Sequence, residues 1–422
     1  MADFEAPGSV EFLEVLIESP NGKVLDITDL IGELNIYESI TTPVLKANVI
    51  ILDATGLLAN LPIMGQEKIT GKIKHFDFID SFEFYTTTVE DIRNVNAFTT
   101  EYTINLVEPA YMNNLVSLVS ESFTGPVSDM ITRISEDYLE VEGDIEPTDG
   151  NFKIVVPNWN PYRAIKWLSK KAKNANGVPS ILYNTWRGGI KLKSFETLFN
   201  QTPVDTFKYQ QRRTDQRTAK VGNAALHREM AQTAFVFYPL QQNPIVEVMA
   251  KGGYSSRHRL VDTFTKSYDE YDFNIDEYFD EAPSLGKFNP LGKDFKVKER
   301  SLGELYSSYE QTRFHSAQSF GLSHYDYSGN MLDVTPFRNS YMSRLSNYRY
   351  KIGIYGRGDI EAGSIINIEL NKNMIAQEQQ TEERVDDRRT GKHVIVNLRH
   401  QYTNGSYKLI LDAARESMEQ DL

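Results

Sequence analysis

Hydrophobic and polar residues alternate through the first hundred positions of the chain. Leu45, Ala47, Val49 and Ile51 fall at every second position, with Lys46, Asn48 and Ile50 between them. A period of two is that of a half-buried strand. Val10–Glu18, Glu67–His75, Glu83–Arg93 and Phe98–Val107 continue the pattern, and Asn94–Ala97 reads as the hairpin loop between the last two. One short helix is expected over Thr55–Leu61. Residues 1–108 therefore predict a compact all-β module.

The pattern changes over residues 109–205, which predict an α+β insertion. Ser128 precedes a helical spacing of Met130, Ile131, Ile134 and Tyr138. Asn160 followed by Pro161 is a helix start, cap residue first and Pro at the first helical position. Ala164, Ile165, Trp167, Leu168 and Ala172 make its apolar face, Lys166, Lys170, Lys171 and Lys173 mostly line the other, and Gly177–Val178–Pro179 ends it. A hairpin follows over Ser180–Trp186 and Ile190–Phe195, turning at Gly188–Gly189.

Residues 206–232 are polar and basic, with Lys208, Arg212, Arg213, Arg217 and Lys220. Residues 245–275 are expected to return to strand. Thr335–Pro336 opens a helix carrying Phe337, Tyr341, Leu345 and Tyr348. Strands are then expected over Lys351–Tyr355, Ser364–Leu370, Lys392–Tyr402 and Ser406–Asp412, with a charged loop at Asn371–Gly391. Val394, Val396 and Leu398 alternate, as do Leu409 and Leu411, which predicts one barrel-filling face. A second β-module is thus split between 206–260 and 345–418, with an accessory stretch at 261–344.

The two modules share a faint repeat. Ile92–Arg93 precedes, across a turn, Tyr102, Ile104 and Leu106; Leu398–Arg399 precedes Tyr407, Leu409 and Leu411. Gly65 and Gly363 each stand just before a strand. The pattern fits duplication of one β-module, and it also fits features that any two hairpins share.

Composition narrows the function. The 422 residues allow two to four domains at ~100–200 residues each. Tyr (23) and Phe (22) far outnumber Trp (3), which suits half-exposed strands and interfaces. The formal charge is −13, unfavourable for stable nucleic-acid binding, which draws on cations that release counterions. The absence of cysteine excludes disulfides, thiolate zinc sites and cysteine nucleophiles. No stretch approaches the ~18 apolar residues of a membrane span. The acidic, polar start, Met1 to Val10, predicts no signal or transit peptide.

Catalytic, metal and cofactor motifs are sparse, so no site of these kinds is assigned. Gly356–Arg357–Gly358 resembles the start of a dinucleotide fingerprint, but Glu361 replaces the third Gly and a strand follows. His75, His227, His258, His315, His324, His393 and His400 form no metal-binding spacing. Residues 262–281 hold eight carboxylates among Tyr268, Tyr271, Phe273, Tyr278 and Phe279. Paired carboxylates beside aromatics suit a glycan hydrolase, and equally a docking surface guarded by charge. Arg357–Gly358–Asp359 spells an adhesion tripeptide, and also a turn. The basic segments 208–220 and 287–300 are expected to pair with the acidic runs or with a partner.

One segment is more specific: Val156–Pro157–Asn158–Trp159–Asn160–Pro161–Tyr162–Arg163–Ala164–Ile165–Lys166–Trp167–Leu168, followed by the hairpin ending Ile190–Leu198. Tyr355–Ile368, Thr390–His400 and Asn404–Leu409 add to it. Together these resemble the baseplate central hub proteins of contractile-tailed bacteriophages and, more distantly, the hub part of type VI secretion spike proteins. The region 206–340 matches least. The resemblance implies a mainly β chain with two tail-tube-like antiparallel β-barrel modules. It implies a non-enzymatic homotrimer that matches a sixfold tail tube to a central spike. Its expected partners are the tail tube protein, a separate central spike protein, the tape-measure protein and the baseplate wedge proteins, with DNA only in transit. Its expected place is the virion tail baseplate, after assembly in the host cytoplasm. The two rival readings are a tail-associated glycan hydrolase and a receptor-binding adhesin.

Overall fold

The computed structural model describes residues 7–61, 63–75, 78–209, 230–242, 244–263, 266–292, 296–297, 299–301, 309–314, 332, 334–370, 386 and 389–419. Arg212, Arg213, Arg217, Lys220, His227, His315, His324 and most of the charged loop 371–391 lie outside the described residues.

Each early strand has one apolar face, and the strands curl until those faces meet out of water. They are β1 (Val10–Glu18), β2 (Val24–Asp26), β3 (Ile31–Ser39), β4 (Lys46–Asp53), β5 (Lys68–His75), β6 (Ile79–Asn94) and β7 (Thr100–Val107). Antiparallel pairing runs β1 to β5, β6, β7, β4 and β3. β2 closes the ring by pairing back onto β1. It can do so because β2 and β3 are one extended stretch broken by a single turn at Thr28–Leu30. Ile17, Leu34, Ile36, Val49, Ile51, Ile69, Phe84, Tyr102 and Ile104 fill the interior.

The next stretch carries β8 (Val119–Gly125), β9 (Gly143–Ile145), β10 (Phe152–Trp159), β11 (Ser180–Thr185) and β12 (Gly189–Ser194). Helices Pro109–Val116, Val127–Ile134 and Pro161–Ser169 pack with them around a core of their own. Asn160 precedes Pro161 as expected, but its side chain does not cap the helix. It donates to the Asn114 carbonyl, and the Tyr162 amide is capped by Asn114 Oδ1 at 2.9 Å. The helix stops at Ser169, well before Gly177, because Lys171 N and Ala172 N bond three residues back in a tightened turn. That turn carries Lys171 inward, off the solvent face, over the Trp167 ring.

The second barrel uses β13 (Thr206–Tyr209), β14 (Thr233–Ala234) and β15 (Val236–Gln242). An insertion follows with β16 (Ser255–Asp262), β17 (Ser267–Asn274), β18 (Lys296–Val297), β19 (Arg300–Ser301) and β20 (Glu310–Phe314). It begins with a helix, Ile245–Ala250, where strand is expected; Val248 alone is fully buried there, a helical rather than alternating pattern. Helix Thr335–Arg344 leads back to β21 (Tyr348–Tyr355), β22 (Ile365–Glu369), β23 (Gly391–Thr403) and β24 (Ser406–Arg415).

The ring runs β13, β22, β23, β24, β21, β15, and closes through β14 onto β13. This is the order of the first barrel, strand for strand in chain sequence. The difference is the direction of β13, which runs parallel to both β22 and β14, whereas β1 runs antiparallel to β5 and β2.

Bulges align the two barrels in detail. β6 slips against β7 between Thr86 and Thr88, and β23 slips against β24 between Ile395 and Asn397. At matching positions Thr86 N donates to Glu67 O, and Ile395 N to Ser364 O. This register sets Tyr102 beside Leu409, two residues from Tyr407, and Arg93 beside Gln401 rather than Arg399. Gly65 and Gly363 both have positive φ but stand one position apart in it. The bulge also reverses face at Val396. Val394 and Val396 pack outward with Tyr341 of the Thr335–Arg344 helix and with Phe195, while Ile395 and Leu398 fill the barrel.

Candidate functional site

β23 is longer than its neighbour. β22 pairs only with Gly391–Val394, which leaves the same edge of Asn397–Thr403 open for β3 of the first barrel. The register runs from Asn397 opposite Ser39 to Thr403 opposite Glu33. Both barrels therefore belong to one hydrogen-bonded network of seventeen strands, to which Asn184 of β11 is joined opposite Ser39. On one side of the seam Ser39 Oγ donates to Asn397 Oδ1 at 2.7 Å, and Arg399 reaches Asn35 Oδ1 at 2.7 Å and pairs with Glu33.

The other side is a buried polar cluster in which both barrels and the insertion take part. Glu38 Oε1 accepts from the Trp186 amide at 2.8 Å and lies 3.1 Å from His400 Nε2, while its Oε2 accepts from the Ala362 amide at 2.7 Å. Burial alone raises the Glu38 carboxyl; the His400 contact and the two amides more than offset it and hold the group below its ordinary value. His400 Nδ1 meets the Tyr407 hydroxyl at 2.8 Å, and Tyr407 stacks on Tyr402 with centroids 4.3 Å apart. Burial pushes the Tyr407 hydroxyl up to about 12.

His75 stacks on Phe78 and meets the Tyr407 ring edge-on, with Nε2 3.0 Å from Asp80. Arg187, at the β11–β12 turn, grips Asp80 with two nitrogens and lies over Trp186 and Phe78. Burial raises the Asp80 carboxyl, but His75 and Arg187 bring it below its ordinary value. Charges and rings fixed this way set one relative placement of three units.

Over nearly its whole length the fold is similar to that of solved phage tail proteins. The tail protein from Neisseria meningitidis MC58 superimposes with a TM-score of 0.55 at 10% identity, covering 97% of this chain and 98% of that one. The 43 kDa tail protein of prophage MuSo2 from Shewanella oneidensis gives 0.53 at 8% identity, covering 96% and 98%. The chain has the fold of these phage tail proteins. No protein-family model and no curated protein matches the sequence.

The other features singled out in the sequence serve packing. The acidic–aromatic run lies on β17 and the short helix Ile275–Tyr278. Arg257 on β16 takes Asp272 with two bonds of 2.7 Å, and Arg259 takes Glu270 at 2.8 Å. Phe273 and Phe279 are core residues of that insertion, beside Val248, Tyr254 and Phe337. Asp272 and Glu270 thus form a cross-strand charge ladder with Arg257 and Arg259.

The Arg357–Gly358–Asp359 turn is likewise occupied. Arg357 bonds Asp359 at 2.9 Å and also pairs with Asp205. A Cβ on Gly356 would overlap the Tyr407 ring, and one on Gly358 would strike Phe78. These glycines let the turn lie flat against the aromatic cluster.

Of the described histidines, His75 and His400 come together, through Tyr407. His258 sits 2.9 Å from Ser256 Oγ, and burial takes it down to about 4; burial also drives His393 well below its ordinary value. Among the described residues no three His, Asp or Glu gather as metal ligands. Sequence reasoning passed over Glu38, Asp80, Trp186 and Arg187. Leu34, Ile36 and Glu38 share a period of two, so a carboxylate at an inward-facing position was a visible signal.

Proposed function

We propose that the protein is the structural baseplate hub of a contractile phage tail, a non-enzymatic homotrimer that joins the tail tube to the central spike. The observation that carries this is the presence of two like-connected barrels in one chain, joined strand to strand. Closed rings repeat their interfaces by symmetry, so three such chains present six similar barrels and match a sixfold tube. The full-length likeness to the Neisseria and Shewanella tail proteins supports the same reading.

On this reading the modules span 1–108 and 206–260 plus 345–418, with 109–205 and 261–344 as insertions facing spike and wedge proteins. The ring is the conduit for tape-measure protein and DNA, and it resides in the tail baseplate of the virion after assembly in the host cytoplasm. A net charge of −13 suits a channel through which phosphates slide without sticking.

A trimer of this kind is expected to bury more than ~2,000 Å² in total, the obligate class. Light scattering and particle images of the purified chain test it, with and without the spike protein. A three-lobed ring with a central hole is expected. Monomer alone under both conditions overturns the proposal.

A further inference from the structure

Each barrel has one edge that the other's structure explains. In β23 the segment after the bulge, Asn397–Thr403, lies against β3. Its counterpart in the first barrel is β6 after Thr86. β5 pairs only with Ile79–Tyr85, so among the described residues the later part of β6 pairs with β7 alone. The counterpart of β3 is β15. Glu33 pairs with Ile50 as Val236 pairs with Gly353, and Leu34 with Val49 as Phe237 with Ile352. Among the described residues the far edge of β15 has no strand on it. One chain thus holds one completed barrel-to-barrel seam and the two unmatched halves of a second.

We propose that β6 residues 88–94 of one copy add to the open edge of β15 in a second copy, repeating between chains the β23–β3 seam found within one. This rests on the trimeric reading and gives it an interface. Exposure fits: Ile92 (60%) and Phe98 (87%) stand out at the β6–β7 end, and Tyr238 (62%) and Leu240 (52%) on β15. Apolar edge strands left in water pair with other chains, and strand addition is how such edges recognise partners. β15 carries no charge to repel a neighbour. Pro239 stands where Ile36 stands in β3, beside a bulge that ends at Gln241, and leaves β15 one ladder donor short there.

The interface is heterologous, with a donor edge at one end of the chain and an acceptor at the other, so it closes a ring or runs on as a filament. The internal seam predicts the register. Gln401 faces Asn35 and Tyr402 faces Leu34. Carried across by the bulge alignment, Arg93 of one copy faces Tyr238 of the next, and Asn94 faces Phe237.

The chain's lack of cysteine makes the test direct. Arg93→Cys and Tyr238→Cys are introduced together in the full-length protein at these exposed positions. Facing residues of paired strands lie within disulfide reach. After mild oxidation, a non-reducing gel is expected to show dimer and trimer and nothing larger. Arg93→Cys with Gln242→Cys, four residues out of register, is expected to stay uncrosslinked.

Trimers in light scattering without crosslinks overturn the strand pairing and leave the trimer standing. Crosslinks that run past three chains overturn ring closure, and with it the hub. Equal crosslinking of the shifted pair overturns the register. Monomer by both measurements overturns the pairing and the trimer together.

Discussion

β3 and β15 hold the same place in their barrels, yet one carries a neighbouring strand and the other, among the described residues, has none on that edge. The covered strand is rich in polar residues that fix its register: Glu33, Asn35, Glu38 and Ser39 all bond across the seam. The other strand, Val-Phe-Tyr-Pro-Leu-Gln-Gln, offers rings and aliphatics. The barrels also differ inside. Ala47 faces Leu106 in the first, and at the matching place Tyr350 faces Ala413 in the second. Small against large has become large against small, and Phe237 stacks on Tyr350 at 5.1 Å. Volume and connectivity are kept while residue identity is not, as cores tolerate. This is why the repeat is so faint in the sequence.

The largest expected effect comes from the element both barrels share. Removing Lys392–Leu422 takes β24 and nearly all of β23, including Ile395, Leu398, Leu409 and Leu411. At ~1.5–3 kcal/mol per buried side chain the loss reaches the ~5–15 kcal/mol margin of a domain. No folded protein is expected. A soluble truncation with unchanged circular dichroism would contradict the shared role of β23.

A smaller contrast separates the covered strand from its counterpart. Glu38→Ala strands His400 and two amides in a buried site, so urea unfolding is expected to show a loss of ~3–5 kcal/mol. Gln242→Ala, at the matching end of β15, is expected to stay within ~0.5 kcal/mol. Equal losses would mean that the seam contributes nothing particular to stability.

The inverted core pair is tested by a double-mutant cycle. Leu106→Ala is expected to cost ~2–5 kcal/mol and Ala47→Leu ~1–3 kcal/mol. The double variant is expected to recover at least ~1 kcal/mol of their sum, as residues in contact do. Strict additivity would show that the two positions do not share one volume.

The smallest effect concerns two buried carboxyls at the same end of the β3–β4–β7 sheet, one following each outer strand's residue in the Tyr37–Lys46–Val107 row. Glu108 accepts from Tyr162, the Leu45 amide and Asn184, yet burial raises it from 4.5 to about 7. Its folded form keeps a proton that the unfolded chain has lost, so its contribution is largest at low pH and fades as pH rises from 4.5 to 7. Glu38 is held below its ordinary value, so its contribution is present above 4.5 and lost as pH falls. Glu108→Gln is expected to remove ~1–3 kcal/mol of pH dependence in that window. Unfolding midpoints measured across pH 4–8 check it; an unchanged slope would show that another group carries the dependence.

Much of the architecture was legible in residue spacing. Val10–Glu18 is a strand at the expected bounds, and the hairpins at Ser180–Ser194 and Gly391–Arg415 fall close to where alternation puts them. The insertion's helix starts at Pro161, with Pro at the first helical position as the dipeptide suggests. Other readings failed where a non-local partner intervened. Asn160 lost its capping role to Asn114, Lys171 turned inward, and Val396 changed face at a bulge. Arg257 and Arg259, which pair with Asp272 and Glu270 of the acidic run, lie one strand away from it, out of reach of residue spacing.

Period and spacing are local, so the sequence by itself determined most of the strands and, away from bulges, the alternation of their faces, and that the charge is unsuited to holding nucleic acid. Tertiary structure alone settles which edges meet. Ser39 bonds Asn397 across 358 residues of chain. That pairing exists because β22 is shorter than β23 and a bulge turns the remaining edge toward β3. A strand's outer edge is all backbone, the same for every residue type but proline, so no pattern of side chains announces which neighbour it will take.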